Sequence, residues 1–383
     1  MTMDHHTGFY LSLHLLRSVN FNHDRTVATV GAGALTSDLV DAGSHVGSLL
    51  LTATCDCVAF LGSLLGGGVG HLTGQYGLLV DTVLSMDLVL ADGSLHTVTD
   101  LSNPDLWWAL RGAGPNFGIV VDLSVHAYPD APRTAWQATL VFVPLQLPSV
   151  LAALGALTLP PRAALSLLYA LHDGTPAVII HLFFHGSAAE ATESFASLLA
   201  LGPVSNSTSI KAWKDWNAPS ATACKKGGRK PTWAAGLSRF HPSVFAHVFD
   251  VWHDVVLRQP GLANSSMLLN WFPMEKARSV PLESSAVPFR DAVDLFATMT
   301  MAYEDAALDD AALQFGRRVR SLWQATDGLA EPITYRTPPL SSSSSFFFVV
   351  VIADILDAAT LTTPLATSRW RRSMATDLAG CKV

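Results

Sequence analysis

The sequence predicts an α+β protein in which a glycine-rich unit precedes a second unit built on an antiparallel sheet. Two glycine-dense turns, at residues 64–70 and 112–118, bracket a hairpin pattern in the first unit. In the second unit, long strand patterns alternate with helix patterns, which is typical of a sheet covered by helices. We therefore expect a first unit at 1–130, a second unit at 131–330 and a divergent tail at 331–383.

Strand patterns dominate the first unit. β-branched and aromatic residues predict strands at 9–13, 26–30, 83–90, 95–98 and 119–128. The pair Asp92-Gly93 predicts a tight turn that joins the third and fourth of these strands. Helices are predicted at 36–42, with Thr36 or Ser37 as N-cap, and at 103–111, with Pro104 in the first turn.

The second unit alternates strands with helices, after a proline-rich segment at 129–132 that marks the boundary. Strands are predicted at 136–143, 164–171, 177–184 and 268–272, and helices at 147–157, 188–199, 289–303 and 310–325. The tail differs, because five serines at 341–345 run directly into an aromatic and β-branched block at 346–352. That pattern fits neither a solvated loop nor an amphipathic element, so whether the tail packs on the fold stays open.

The amino-acid composition excludes several classes of protein and of function. The 383 residues are 49% hydrophobic and 14% charged, which excludes global disorder. A net charge of -7 and a pI near 6.0 argue against nucleic acid as the main partner, which would require clustered lysine and arginine. No apolar run reaches the roughly 18–20 residues that span a bilayer, so we expect no membrane span. Four cysteines are too few for a disulfide scaffold at this length.

Other ligand-binding motifs are absent from the sequence. A dinucleotide fingerprint would need a third glycine after Gly31 and Gly33, where Thr36 stands instead. There is no Walker motif, no His-Glu-x-x-His pair and no nucleophile elbow. The 14 histidines show no clear spacing for a metal site, so we expect no metal.

The glycine run LLGGGVG at residues 64–70 is the most informative feature. Glycine loses more conformational freedom on folding than any other residue and packs no side chain. Three in succession therefore indicate a backbone that takes special dihedrals or lies directly against a ligand. With the second glycine-dense turn at 112–118, the pattern predicts a backbone-lined cradle for a large ligand.

Six motifs in order give the run a context: CDCV at 55–58, GSLLGGGVGHL at 62–72, QYGLLVDTV at 75–83, LADG at 90–93, NPDLWWALRG at 103–112 and NFGIV at 116–120. This series closely resembles the PCMH-type FAD-binding domain of the vanillyl-alcohol-oxidase superfamily. More narrowly, it resembles the berberine-bridge-enzyme-like branch. The resemblance covers about residues 8–128, and a weaker one extends over a substrate-binding domain to roughly residue 325.

The resemblance implies that FAD is the cofactor. In this family the cofactor is held largely by main-chain groups, and turns with exposed N–H groups suit its pyrophosphate. The implied cofactor-binding residues are Cys55, Val58, Gly62, Gly66, Gly67, Gly68, Gly70, Tyr76, Gly77, Asp81, Asn116, Gly118, Ile119 and Val120. Asp81 and Asn116 also suit a purely structural role, because their side chains commonly bond nearby backbone in turns.

Many members link the flavin covalently to a cysteine ahead of the glycine run, and Cys55 occupies that position. The alternative is that Cys55 is a small buried residue without this role. We expect Cys57 to be a packing residue or an accidental neighbour of Cys55. We expect His71 to be a hydrogen-bonded structural histidine rather than a catalytic base, and Tyr76 to form part of the site wall.

The implied reaction transfers a hydride from a substrate C–H bond to flavin N5, with O2 as the expected acceptor. The expected partners are a small molecule, such as a secondary metabolite, an alcohol or a sugar, and O2. We expect a monomer. For acid–base chemistry the candidates in the second unit are Tyr169 and Glu275, which no motif marks.

The sequence departs from the family pattern at both ends. Relatives place another pyrophosphate loop and a flavin-linking histidine ahead of the point where this sequence begins, and MTMDHHT at 1–7 carries no Gly-Gly-His. They also end with an Asn-Tyr segment that the tail replaces. We therefore expect a chain truncated at both ends, with an inactive relative that binds no FAD as the alternative. Because relatives are often secreted and no signal is visible here, the compartment stays open.

Overall fold

The structure is a computed structural model that describes residues 11–327. The expected tail at 331–383, with its serine and phenylalanine tract, lies outside the described residues, as do Phe9 and Tyr10 of the first predicted strand. Residues 11–13 of that strand are irregular, so this prediction is wrong where it can be compared. The described chain contains two antiparallel sheets, which confirms the α+β class.

The first sheet has five strands in the order β1-β2-β5-β3-β4. The strands are β1 (Val19–Phe21), β2 (Val27–Gly31), β3 (Val83–Val89), β4 (Leu95–Val98) and β5 (Ile119–His126). Its helices are α1 (Thr36–Val46), α2 (Phe60–Leu64), α3 (Thr73–Tyr76) and α4 (Pro104–Ala113). The last four strand predictions and both helix predictions are confirmed. The predicted N-cap is wrong, because the cap is Leu35, whose N–H donates to Asp38 Oδ2 at 2.8 Å.

The second sheet has seven strands in the order β10-β12-β11-β7-β8-β6-β9. The strands are β6 (Thr134–Phe142), β7 (Ala163–His172), β8 (Thr175–Phe184), β9 (Ser205–Ala212), β10 (Thr232–Leu237), β11 (Ser266–Trp271) and β12 (Leu295–Thr300). The helices are α5 (Leu147–Gly155), α6 (Ala188–Ser194), α7 (Ala196–Leu199), α8 (Pro242–Arg258), α9 (Glu275–Arg278) and α10 (Asp309–Thr326).

One helix prediction in the second unit is wrong. The segment predicted as a helix at 289–303 contains β12, which pairs with β10 on one side and β11 on the other. Its first five residues are buried, so no alternation of polar and apolar residues marks it as a strand. A strand buried on both faces cannot be told from a buried helix by periodicity alone.

The two faces of the second sheet have different roles. Side chains of alternate residues point to opposite faces of a strand. Leu167 and Leu269 lie in a core with α5, α8 and α10, whereas Ala164, Phe183 and Phe296 lie in the core that extends into the first sheet. The second sheet therefore presents one face to its own helices and the other toward the glycine-rich unit.

The two sheets meet at a short connection. β5 ends at His126 and β6 begins at Thr134 in the other sheet. We propose this connection as the domain boundary expected near residue 130. Within residues 11–327, none of the helices combines the length and the apolar character needed to cross a bilayer.

Candidate active site

The loop ahead of α2 brings three cysteines together. A disulfide joins Cys57 to Cys224, 167 residues away in the sequence, with a Cα–Cα distance of 5.6 Å. Cys55 is half-buried, and its Sγ lies 3.4 Å from Cys224 Sγ and 3.6 Å from Cys57 Sγ. The prediction that Cys57 is a packing residue is wrong, because it covalently joins the first unit to the second.

The glycine run divides into two groups. A Cβ on Gly62 or Gly66 would meet only one atom within 4 Å, at 3.9 Å in each case, so both residues face open space. Gly67 and Gly68 have φ angles of +109° and +73°, which L side chains rarely adopt. They pack against protein, because a Cβ on Gly67 would meet Phe289 and one on Gly68 would meet Leu79.

The remaining predicted glycines also approach protein atoms closely. A Cβ on Gly70 would lie 2.0 Å from Thr52 O, and one on Gly118 would lie 2.6 Å from Val89 O. A Cβ on Gly77 would meet Asp81 Oδ2 at 2.9 Å. These positions show why glycine is required by the fold. Of the predicted run, Gly62 and Gly66 are the two that leave room for a ligand.

Four predicted residues stabilise local structure. Asn116 donates a hydrogen bond from Nδ2 to Ala113 O at 3.0 Å within the second glycine-dense turn. Ile119 and Val120 follow as the first residues of β5 and pair with β3. Val58 lies beside the cysteines, and its carbonyl accepts a hydrogen bond from Thr36 N at 2.9 Å.

Tyr76 lines an open cleft of the first unit, beside the segment that leads into the second unit. Its ring lies 4.2 Å from that of Tyr128, and the cleft, about 380 Å³ in volume, continues along residues 129–132. Burial raises the pKa of both tyrosines, that of Tyr128 to about 12, so both hydroxyls stay protonated. This location fits the expected wall role.

His71 lies at the interface of the two units. Its ring stacks on Phe183 of β8 with centroids 4.4 Å apart. Neither ring nitrogen has a hydrogen-bond partner in the described part of the chain, so the expected hydrogen-bonded histidine is not observed. Burial lowers the pKa of His71 to about 4, and the charge of His181 adds to this shift.

A row of polar residues crosses the second sheet on the face toward the glycine-rich unit. In register order across β6, β8, β7 and β11, the row is Thr139, His181, Ser166 and Asn270. Thr139 Oγ1 lies 3.0 Å from His181 Nδ1, and Ser166 Oγ donates to Asn270 Oδ1 at 2.7 Å. All four are partly exposed, and burial lowers the pKa of His181 to about 4. We call these four residues the polar row.

Apolar residues flank the polar row on both sides. Toward the glycine-rich unit the next row includes Phe183 and Ala164, which belong to the core between the two sheets. On the other side, Val141, Ile179 and Leu168 form a separate small apolar cluster. The sheet face thus offers hydrogen-bonding groups beside an apolar surface.

The two predicted acid–base residues lie elsewhere. Tyr169 faces the helices, is fully buried, and donates its hydroxyl to Phe245 O of α8 at 3.1 Å. Glu275 is exposed at the first turn of α9. Neither side chain lies on the sheet face that carries the polar row, so their geometry supports structural and surface roles.

Sequence reasoning missed the polar row. Each of its members on β7 and β8 is an isolated polar residue within an apolar stretch of its strand, Ser166 in AALSLL and His181 in AVIIHLFF. An isolated polar residue within an apolar strand is the signal that could have identified them. Only the strand pairing shows that they lie side by side.

Comparison with known proteins places these residues in a family context. Residues 2–99 match the family described as FAD binding domain. The FAD-linked oxidoreductase hasG of Aspergillus fumigatus is 31% identical over 327 residues, which cover 82% of this chain and 69% of the relative. The FAD-linked oxidoreductase anuG of Penicillium roqueforti is 27% identical over 343 residues, 86% of this chain and 67% of the relative.

Solved structures show the same fold. Xylooligosaccharide oxidase from Myceliophthora thermophila, in complex with xylobiose, has a TM-score of 0.70 at 23% identity, covering 82% of this chain and 69% of that chain. Glucooligosaccharide oxidase from Acremonium strictum, described with 6-S-cysteinyl, 8α-N1-histidyl FAD, has a TM-score of 0.72 at 19% identity, covering 84% and 71%.

The residues present fit such a cofactor. Gly62 and Gly66 offer backbone with open space in front of it. His71 provides two buried ring nitrogens, and Asn217 a buried side-chain oxygen, that lack partners within residues 11–327. A buried polar atom without a partner is costly, so a ligand with hydrogen-bonding groups at this interface would stabilise the site.

Proposed function

This chain belongs to the FAD-linked oxidoreductases, and from that premise we propose that it oxidises a small organic substrate with O2 as the final electron acceptor. FAD is its cofactor. The observation that carries the proposal is the pairing of two surfaces across one interface. The open glycines Gly62 and Gly66 lie on one unit, and the polar row lies on the sheet face directed toward that unit.

We assign the cofactor to the first of these surfaces. Cys55, Val58, Gly62 and Gly66 would hold it, with His71 as a hydrogen-bonding partner. When bound, FAD supplies the two-electron chemistry of the reaction. Gly67 and Gly68 support this surface from behind, because their carbonyls accept hydrogen bonds from Val80 and Leu79 at 2.9 and 3.0 Å.

We assign the substrate to the polar row. Ser166, Asn270 and Thr139 provide hydroxyl and amide groups, and the cluster of Val141, Ile179 and Leu168 provides an apolar surface beside them. Such a surface suits a small molecule with a hydroxyl or amine group attached to an apolar body. The oligosaccharides and 6-hydroxy-D-nicotine named for neighbouring oxidases have this kind of polar group.

His71 and His181 would orient the bound groups. Because the pKa of each is lowered to about 4, both imidazoles stay neutral at physiological pH. A neutral imidazole donates one hydrogen bond and accepts another, but a base with so low a pKa takes up a proton poorly near pH 7. We therefore assign both histidines to binding and orientation. We also propose that the chain acts as a monomer.

An absorption spectrum of the purified chain tests the proposal. We expect flavin bands, and flavin that remains with the protein after acid precipitation if Cys55 carries it. The matched variant Cys55→Ser should keep bound FAD but release it on precipitation. A folded, soluble chain that remains colourless after incubation with FAD would overturn the proposal and favour a relative that binds no cofactor. Release of H2O2 during turnover tests the role of O2.

A further inference from the structure

The three described cysteines form a cluster at the joint between the two units. The disulfide joins Cys57 to Cys224, and Cys55 Sγ lies 3.4 and 3.6 Å from the sulfurs of Cys224 and Cys57. These distances correspond to van der Waals contact between sulfur atoms. The third sulfur is therefore within reach of the bond between the other two.

The cluster does not depend on the disulfide alone to stay together. Asn217 precedes Cys224 by seven residues, and its Nδ2 donates to Asp56 Oδ1 at 2.8 Å and to Ala53 O at 3.4 Å. These two bonds fasten the segment that carries Cys224 to the loop that carries Cys55 and Cys57. Breaking one sulfur–sulfur bond would therefore leave all three sulfurs close to each other.

We propose that this cluster is a thiol–disulfide exchange site that controls whether Cys55 is available for attachment of the flavin. The inference rests on the proposed role of Cys55 as the attachment residue. In the exchange, the Cys55 thiolate attacks Cys224 Sγ, a Cys55–Cys224 bond forms, the Cys57–Cys224 bond breaks, and Cys57 leaves as a thiolate. The proton lost by Cys55 is balanced by one gained by Cys57, so no oxidant or reductant is consumed.

The exposure of Cys57 and the spacing of the cysteines along the chain favour attack on Cys224 over attack on Cys57. Cys55 Sγ is almost equidistant from the other two sulfurs, so its side chain has to rotate before it lines up with the bond that breaks. Cys57 is exposed, so its thiolate would be solvated after it leaves. Attack on Cys57 instead would join residues separated only by Asp56, whereas attack on Cys224 keeps the two units linked.

Flavin attachment and exchange exclude each other. A thioether on Cys55 removes the attacking thiol, which fixes the disulfide between Cys57 and Cys224. A bond between Cys55 and Cys224 removes the thiol that the flavin needs. A population of chains without attached flavin should therefore be a mixture, in which some molecules contain the Cys57–Cys224 disulfide and others the Cys55–Cys224 disulfide. Chains with attached flavin should all contain the Cys57–Cys224 disulfide.

Endoproteinase Asp-N, which cleaves before aspartate, separates the three cysteines. The sequence places Cys55 on fragment 41–55, Cys57 on fragment 56–80 and Cys224 on fragment 215–249. The full chain without attached flavin would be incubated with reduced glutathione, alkylated in acid and digested without reductant. We expect fragment 215–249 linked to 56–80 and, in part, to 41–55. Linkage to 56–80 alone under all conditions would overturn the proposal.

Two variants provide a matched pair, because each removes the same disulfide. In Cys57→Ser, Cys55 and Cys224 remain in contact, and with oxidised glutathione supplied as the oxidant we expect their disulfide and a loss of acid-stable flavin. In Cys224→Ser, Cys55 keeps its thiol, and we expect acid-stable flavin to be retained. Equal retention or equal loss of flavin in two folded variants would contradict the exchange and indicate a structural disulfide.

The readouts separate this inference from the proposed function. If wild type and Cys224→Ser both lack attached flavin while the digest shows both linkages, the exchange stands and the assignment of Cys55 to the flavin fails. If flavin is attached and the flavin-free chains show a single linkage, the assignment stands and the exchange fails. The digest of the wild type requires no variant to fold.

Discussion

Arg290 and Asp81 form a buried two-point ion pair between the two units. Arg290 Nη2 lies 2.6 Å from Asp81 Oδ1, and Nη1 lies 2.8 Å from Oδ2. The side chains are 0% and 7% exposed. Asp81 also accepts the N–H of Leu78 at 3.0 Å, at the start of the turn that bonds to the glycine run. The pair therefore connects the glycine run to the segment that leads into β12.

Removing the charge of Asp81 should destabilise the protein strongly. Asp81→Asn leaves the Arg290 guanidinium buried without a counter-ion, which costs about 3–5 kcal/mol. Denaturant unfolding followed by circular dichroism measures this loss. The control is Asp254→Asn, which breaks an exposed pair with Arg258 on α8 and should cost about 0.3–0.5 kcal/mol. Similar losses in both variants would show that the buried pair is not a main contribution to stability.

The two groups of glycines should respond differently to alanine. Gly62→Ala fills open space on a helix, so it should leave stability unchanged or raise it by up to about 1 kcal/mol. The same Cβ would occupy space that we assign to the cofactor, so FAD affinity should fall. Gly68→Ala should lower stability by about 1–3 kcal/mol, because a positive φ and contact with Leu79 oppose it. Unchanged FAD affinity in Gly62→Ala would contradict the assignment.

Stability should fall as pH decreases from about 6.5 to about 4. The folded chain holds the pKa of His71 and His181 at about 4 by burial, below their ordinary value of 6.5. In this window the unfolded chain binds more protons, so each histidine lowers the free energy of unfolding by about 1.4 kcal/mol per pH unit. The effect is absent above pH 6.5. Urea unfolding at several pH values measures it.

Single substitutions separate the two contributions. His181→Gln and His71→Gln should each reduce the pH slope by about one proton, and the double variant should reduce it by about two. Above pH 6.5 the slopes of all four proteins should coincide. Slopes that do not change in either variant would show that other groups cause the acid sensitivity.

Much of the first unit could be predicted because short local sequence motifs specify its turns and helix starts. Asp92-Gly93 and Pro104 specify a turn and a helix start by themselves, and both are observed. The motif series likewise indicated the FAD family. Which glycines face open space could not be predicted, because Gly66 and Gly67 differ only in what the fold brings in front of them.

The second unit was harder to predict because its sheet is buried on both faces. Tyr169 and Ser166 stand three residues apart on β7, on opposite faces, in a strand that is apolar almost throughout. Without alternation, the sequence does not tell which residue faces the helices. The link between Cys57 and Cys224 spans 167 residues and likewise depends on tertiary structure alone.

Tyr169 and Asn270 provide a direct test of which sheet face carries the chemistry. Tyr169→Phe removes one buried hydrogen bond to Phe245 and should cost about 1 kcal/mol of stability. Because this hydroxyl faces the helices, kcat/KM and its pH profile should stay unchanged. Asn270→Ala removes the amide that accepts from Ser166 and should lower kcat/KM about tenfold, the equivalent of about 1.4 kcal/mol.

The substrate for this test is the small alcohol, sugar or amine that gives the fastest H2O2 release from the FAD-loaded chain. Ser166→Ala is the matched control for Asn270→Ala, because it breaks the same hydrogen bond and leaves the amide in place. If Asn270 contacts the substrate directly, Asn270→Ala should impair kcat/KM more than Ser166→Ala does. A Tyr169→Phe enzyme with an altered pH profile, beside an unimpaired Asn270→Ala enzyme, would instead assign the reaction to the opposite face of the sheet.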